Sequence, residues 1–479
     1  MAQDNTAYDK PYFHPIILFS KTIAVMTRSL QGRLSRYLLL SAITLAALNN
    51  ARAQTNTFKF DFGSGKAAKD YIQVTPANTF SYQAGYGFSQ GSVVQSVERK
   101  GKDELTNDFI TSDKPFYFSV KLPEGNYDVK VILGDIEGTS ATTVRAECRR
   151  LFLQNVQTKK GETVSKIFTV HVKDSLIRDA QGNTIGKVRL KPREFTYLHW
   201  DNLLTIEFND SAAKVCGVEI TPNTTATTIF LAGNSTVVDQ DREPWAAWGQ
   251  MFPSFFEPKN ICVANYAESG ETLKAFKGER RLEKVWSMVK PGDYLFIEFA
   301  HNDQKPGSSH LDPFTTYKAT LKEWIAEARK RNVIPVLVTS MNRRSFDSAG
   351  YIRNTLEDFP EAMRQTAKED NTAMVDLNAM SKTMYEAWGP VTSLKAFVHY
   401  PANTFPGQDK ELKDDTHFNP YGAYEIARCI VKGIQDAKLD IAKHLKKNIP
   451  AFDPAHPDPV EKWYWPQSSM VSSAKPDGN

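Results

Sequence analysis

Thr228-Ile229-Phe230-Leu231-Ala232-Gly233-Asn234-Ser235-Thr236 decides the architecture of this chain. An almost unbroken apolar run is followed at once by a glycine, an asparagine and two hydroxyl residues. Apolar residues at every position, rather than at alternate ones, mark a strand buried on both faces, as in a parallel sheet. The small polar turn behind it is what such a strand needs where it leaves the sheet. In open α/β sheets that carboxyl edge is where ligands bind.

The same rhythm continues downstream. Apolar runs recur at 261–264, 294–299, 333–338 and 373–377, with helical patterns between them. Within 317–331, Tyr317, Leu321, Trp324, Ile325 and Ala328 fall at helical spacing, and Lys318, Lys322, Glu323, Glu327 and Arg329 take the other side. Strands alternating with amphipathic helices predict a parallel sheet covered on both faces, spanning 228–447. Gly233–Ser235 and His301–Asp303 each follow a strand directly, so both belong at its carboxyl edge.

Upstream, 54–221 reads as all-β. The stretches 57–62, 116–122, 126–133, 188–190 and 204–208 are short and mostly alternate with period two, and turn residues such as Pro123-Glu124-Gly125 and Gln181-Gly182-Asn183 separate them. This predicts a β-sandwich of jelly-roll type. The small, polar 222–227 reads as a linker. The final segment, 448–479, is rich in Pro, Trp and Tyr and is expected to be irregular and to wrap over the domain before it.

The first 53 residues read as a targeting extension. Arg28, Arg33 and Arg36 precede an apolar stretch at 37–48, and Ala51-Arg52-Ala53 offers a small-x-small cleavage site. Met26 is an alternative start. The apolar stretch is short for a membrane span, so the mature chain is expected to be exported, periplasmic or extracellular, with no integral membrane segment. Length favours two domains plus appendages. The composition is 41% hydrophobic and 24% charged, with a formal net charge of +4, which gives no indication of a nucleic-acid partner. Cys148, Cys216, Cys262 and Cys429 show no C-x-x-C spacing, which argues against a zinc site. They read either as one disulfide per domain or as buried thiols.

Asp414-Asp415-Thr416-His417, in a predicted loop before a helix beginning near Asn419-Pro420, supplies the counterpart to Ser235. A serine hydroxyl becomes an effective nucleophile when a base takes its proton and a third group orients that base. Ser235, His417 and Asp414 supply those three roles, with Asp415 a competitor for the third. A tetrahedral oxyanion also needs preorganised donors. The backbone N–H groups of Ser235 and Gly270 and the side-chain amide of Asn302 all follow strand ends. Each piece alone has a plain alternative: Ser235 as a helix N-cap, Asp414–His417 as a surface pair, His301–Asp303 as a turn. Their joint order favours catalysis.

These residues resemble the blocks of the SGNH (GDSL-type) hydrolase superfamily, and within it the rhamnogalacturonan acetylesterase family. The blocks here are Gly233-Asn234-Ser235, Ala267-Glu268-Ser269-Gly270-Glu271-Thr272, Ala300-His301-Asn302-Asp303 and Asp414-Asp415-Thr416-His417. Asn234 stands where that family usually has Asp, Ala300 where it has Gly, and Thr272 where it has Ser. The resemblance covers about 228–440 and implies a three-layer α/β/α fold. It also implies Ser235 as nucleophile, His417 as base, Asp414 as its partner, and Gly270 and Asn302 in the oxyanion hole. The expected reaction is deacetylation of a pectic polysaccharide without metal or organic cofactor. The β-domain, with Phe60-Asp61-Phe62-Gly63 and Gln83-Ala84-Gly85-Tyr86-Gly87-Phe88, resembles galactose-binding-like modules.

An acidic polysaccharide calls for cations beside the nucleophile. Arg343 and Arg344, on a loop leaving a strand, read either as uronate ligands or as structural ion pairs. Trp245, Trp248 and Tyr266 read as sugar-stacking faces or as packing. Rival readings are an esterase acting on another glycan such as acetylated xylan, a lipase, and a non-catalytic carbohydrate-binding protein.

Overall fold

The computed structural model describes residues 57–476; the expected targeting segment 1–53 lies outside the described residues. Residues 57–222 form two facing, largely antiparallel sheets. One runs in the order Glu162–Val172, Gly125–Asp135, Lys214–Pro222, Phe58–Phe62, Ile72–Val74, and Asp108–Thr111 also pairs with Lys214–Pro222. The other is ordered Tyr86–Ser89, Phe116–Lys121, Leu203–Ala212, Ser140–Ala146, Arg150–Thr158. Alternate residues of facing strands, including Phe60, Phe62, Phe116, Phe118, Val129, Val131, Leu204 and Ile206, fill the space between them.

One expected strand is absent. Residues 188–190 lie beyond the hairpin of Leu176–Arg178 and Thr184–Lys187, and the chain there leaves the sandwich. Val188 is buried in the core of the second domain instead, and Pro192–Thr196 follows as a 3-10 turn. Short apolar runs read the same whether they pair within a sheet or dock on a neighbour.

The second domain is built on five parallel strands. Their spatial order is Ile261–Asn265, Thr227–Gly233, Tyr294–Glu298, Ile334–Val338, Ala373–Val375. Successive residues of the first strand point to opposite faces, and both faces are covered. Ile229 and Leu231 pack toward the helices Leu377–Thr392 and Pro420–Asp436. Phe230 and Ala232 pack toward Lys318–Lys330 and Phe359–Glu369. This is the three-layer α/β/α arrangement. Burying each large apolar side chain contributes roughly 1.5–3 kcal/mol, which is why these strands read as continuous apolar runs.

The strand order positions the site. From Thr227–Gly233 the chain steps to one neighbour, Ile261–Asn265, then crosses back to the other, Tyr294–Glu298. The connection after Thr227–Gly233 leaves toward Ile261–Asn265, and that after the adjacent Tyr294–Glu298 leaves the opposite way toward Ile334–Val338, opening a crevice between the two strands at the carboxyl edge. Asn223 makes the junction between domains a hydrogen-bonded turn. Its Oδ1 accepts from Thr225 N at 3.1 Å and Ala226 N at 2.9 Å, and its Nδ2 donates to Asp128 Oδ1 at 2.9 Å.

Beyond Pro420–Asp436 the chain is mostly irregular, with 3-10 turns at Asp440–His444 and Val460–Lys462. It crosses the sandwich as well as the α/β domain: the guanidinium of Arg145 lies over the Trp465 ring at 3.7 Å, and Asn209 Nδ2 donates to Gln467 O at 3.0 Å. All four cysteines are buried free thiols. Among the described residues no helix is long and apolar enough to cross a membrane.

Candidate active site

Ser235 sits on a tight turn directly after the strand Thr227–Gly233. Gly233 is required by close packing: a Cβ there would lie 2.5 Å from Val237 Cγ2 and 3.1 Å from the Glu298 carbonyl. Asn234 then folds the turn back, its Oδ1 accepting from Thr236 N at 3.1 Å and its carbonyl accepting from Val237 N and Val238 N, both at 3.0 Å. No helix begins at this point, so the helix-cap alternative for Ser235 is removed. Beneath the turn lies Glu298, which receives Trp248 Nε1 at 2.6 Å and stands 3.1 Å from Thr236 Oγ1. Burial pushes its pKa up to about 8, while the hydrogen bonds from Trp248 and Thr236 act against that rise.

Asp414 and His417 lie on a strand, not in the expected loop. Leu412–Phe418 pairs antiparallel with Phe397–Tyr400, but Phe397 faces Phe418 while Val398 faces Asp414. The residues between bulge out, and Asp414 closes the bulge on itself. Its Oδ1 accepts from Thr416 N at 2.8 Å and His417 N at 2.9 Å, while its Oδ2 takes His417 Nδ1 at 2.8 Å. The other ring nitrogen, His417 Nε2, is 2.8 Å from Ser235 Oγ. Burial acts to raise the Asp414 pKa, but these hydrogen bonds and the His417 ring outweigh it and hold the carboxyl well below its ordinary range. Asn419 then caps the following helix, accepting from Gly422 N at 3.1 Å.

Asp415 points elsewhere, to His399 Nε2 at 2.9 Å and Arg344 Nη1 at 2.8 Å, which settles the geometric competition with Asp414. The Trp245 ring stands edge-on to His417 with centroids 5.8 Å apart. Ser235 and His417 are 2% and 1% exposed, so the pair works in a largely water-excluded setting.

Gly270 has φ +80°, a left-handed conformation that favours glycine. Its loop is joined to the serine turn by Glu268 N, which donates to Gly233 O at 3.2 Å. Asn302 Nδ2 donates to Glu271 O at 3.1 Å, placing its amide against the same loop. Gly270 and Asn302 line one cleft of about 430 Å3. Asp303, pushed up to about 7 by burial, accepts from Leu273 N at 2.8 Å and fixes the helix that follows the loop.

The structure commits Arg343 and Arg344 to partners within the protein. Arg343 donates to His301 O at 3.2 Å and Thr355 O at 3.1 Å, and Arg344 to Asp415, Ser393 Oγ and the Pro390 carbonyl. Trp248 and Tyr266 are fully buried, the latter donating to or accepting from His171 Nε2 at 3.0 Å. Among the three aromatics, only Trp245 reaches a cleft wall.

The sandwich supplies residues that sequence patterns gave no reason to place here. Lys191 Nζ and Arg193 Nη2 both donate to Ser269 O at 2.8 Å, and Arg193 also pairs with Glu268 at 2.7 Å. Glu194, one residue on, holds Arg281 of the α/β domain in a two-pronged pair. Two further cations come from outside the β-domain, Lys305, three residues past Asn302, and Lys475, in the tail; the first was adjacent to a named motif, and the second carries no sequence signal.

Comparison with known proteins bears on this arrangement. Residues 231–424 match the family described as GDSL-like Lipase/Acylhydrolase, and residues 58–178 match Beta-agarase/YXIM esterase-like, galactose-binding domain-like. The chain is 39% identical over 219 residues to the rhamnogalacturonan acetylesterase RhgT of Bacillus subtilis (strain 168), covering 45% of this chain and 93% of that protein. It is 34% identical over 223 residues to the probable rhamnogalacturonan acetylesterase YesY of the same organism, covering 46% and 97%. Across both domains it is 25% identical over 408 residues to the uncharacterized esterase YxiM, also from that strain, covering 83% and 96%.

Proposed function

The chain belongs to the GDSL-like lipase/acylhydrolase family and is a serine carboxylic-ester hydrolase, and on that premise we propose that it is an exported enzyme removing O-acetyl groups from rhamnogalacturonan. The observation that carries the chemistry is the unbroken relay from Asp414 Oδ2 through His417 to Ser235 Oγ, with 2.8 Å at each step. The likeness to RhgT and YesY over nearly their whole length supports the choice of ester and polymer.

In this reading Ser235 Oγ attacks the acetyl carbonyl while His417 Nε2 takes its proton. Asp414, held ionised, orients the ring and stabilises the imidazolium that forms. The developing oxyanion is met by the N–H groups of Ser235 and Gly270 and the Asn302 amide. His417 returns the proton to the leaving sugar oxygen, and the acetyl group stays on Ser235. Water, deprotonated by His417, then attacks the acetyl carbonyl; the bond to Ser235 Oγ breaks, His417 gives its proton to that oxygen, and acetate leaves. No step requires a metal or organic cofactor.

The test is acetate release from acetylated rhamnogalacturonan and from acetylated xylan, with Ser235→Ala alongside. Release from the pectic polymer, lost in the variant, is the expected result. Release mainly from xylan keeps the mechanism and overturns the polymer.

A further inference from the structure

Two clefts lie on either side of the loop that carries Ser269 and Gly270. The larger, about 430 Å3, is lined by Gly270, Thr272 and Asn302 together with Lys191, Lys305 and residues 306–310. The smaller, about 280 Å3, is walled by Gln240, Trp245, Ser269 and the tail residues Ser472 and Lys475, among others. Ser269 and the adjacent Gly270 line one cleft each, so the oxyanion loop is the ridge between them. A polymer whose ester lies on that ridge has neighbouring sugars in both clefts.

Most cations around the ridge already serve internal carboxylates. Lys191 is bound to Glu271, Arg193 to Glu268, and Arg242 to Asp241, the carboxylate of the smaller cleft. Arg343 and Arg344 are tied down as described above. Two ammonium groups are held more loosely. Lys305 Nζ has a neutral partner, donating to Asn302 Oδ1 at 3.0 Å. Lys475 Nζ forms one long ion pair, 3.4 Å, with Asp414 Oδ2, an oxygen already engaged by His417, and its side chain is 45% exposed. An ammonium has three N–H donors, and these contacts leave donors on each lysine for a ligand. Burial, with Arg343 and Lys475 nearby, lowers the Lys305 pKa, the response of a cation placed among other cations.

We propose that Lys305 and Lys475, one in each cleft, bind carboxylates of the glycan on either side of the scissile ester and set the preference for an acidic polysaccharide. This rests on the substrate reading given above and replaces the adjacent arginines as the uronate ligands. Lys305 approaches from the Asn302 loop. Lys475 comes from the far end of the chain, delivered by the tail that crosses the sandwich.

The experiment compares an O-acetylated rhamnogalacturonan oligosaccharide with the same oligosaccharide after carboxyl reduction, reading the ratio of kcat/KM on the two. Both substrates are measured on one preparation, so partial loss of fold or of oxyanion positioning cancels in the ratio. Lys305→Met and Lys475→Met should each lower the ratio by about tenfold, the scale of one charge-assisted hydrogen bond in a partly solvated site. Lys305→Arg and Lys475→Arg should restore it to within about threefold, because Arg keeps the charge. A wild-type preference for the acidic oligosaccharide that survives both Met substitutions overturns the lysine pair and leaves the substrate reading standing. A wild type with no such preference overturns both together.

Discussion

Lys191 Nζ donates to the carbonyl of Ser269 at 2.8 Å, so an ammonium carried by the sandwich region grips the loop that presents Gly270. Arg193 reaches the same carbonyl from the same 3-10 turn. The β-domain is thereby part of how the active site is held, whatever else it binds. Behind this grip burial pushes the Glu268 and Glu271 carboxyls up from the ordinary range, and Arg281 with Arg193 and Lys191 acts in the opposite direction.

Removing that grip should loosen the oxyanion donor without touching the reacting atoms. The double substitution Lys191→Met, Arg193→Met is expected to lower kcat by about 10–100-fold on p-nitrophenyl acetate, with KM changing little. Lys191→Arg should recover much of the loss. Faster hydrogen exchange over 268–272 would show that the loop itself has been released; an unaltered kcat would show that the sandwich cations do not position it.

Asp414 and Asp415 are adjacent in sequence and opposite in consequence. Asp414→Asn should reduce kcat by about 10³–10⁴-fold, because the amide no longer holds the ring tautomer or stabilises the imidazolium. Asp415→Asn removes one partner of an exposed pair, with a cost of about 0–1 kcal/mol in stability and turnover within about threefold of wild type. Steady-state rates on one aryl acetate decide between the two. A larger loss from Asp415→Asn would mean that the bulge presents the other carboxylate.

Glu298 gives a pH signature. Its folded pKa, about 8, is above the ordinary carboxylate value of 4.5, so between those values the folded protein keeps a proton the unfolded chain has released. Stability contributed by this group is fully present below about 4.5 and declines as pH rises through about 8. Glu298→Gln places a neutral isostere against Trp248 and Thr236 and should flatten the fall in thermal midpoint between pH 6 and 9. An unchanged slope in Glu298→Gln would assign the fall to other groups.

Gly233→Ala puts a methyl group 2.5 Å from Val237 Cγ2, where it must move the turn or the valine. A cost of about 1–3 kcal/mol follows from overpacking. Because the turn carries Ser235, kcat should fall with it, readable as weaker fluorophosphonate labelling of Ser235 in protein that remains folded by circular dichroism.

The α/β layers were legible because burial on both faces leaves apolar runs such as Ile229–Ala232, and these recur in alternation with amphipathic helices. Ser235 and His417 were legible because turn and cap chemistry is local. The strand character of Leu412–Phe418 was not, since Asp414-Asp415-Thr416-His417 is polar at every position and only the pairing with Phe397–Tyr400 makes it a bulged strand. The run 188–190 was misplaced for the converse reason: its apolar residue satisfies the core of a different domain.

The sequence by itself determined the alternation of strands and helices and the order of the motifs that hold Ser235, Asn302 and His417, because these depend on periodicity and side-chain chemistry within a few residues. Only the tertiary structure decided that Asp414 rather than Asp415 meets His417, that the arginines face inward, and that Lys191, Arg193, Lys305 and Lys475 gather at the ridge. Those outcomes depend on contacts between segments as far apart as the sandwich and the tail, and no local pattern encodes which distant charge will find which carbonyl.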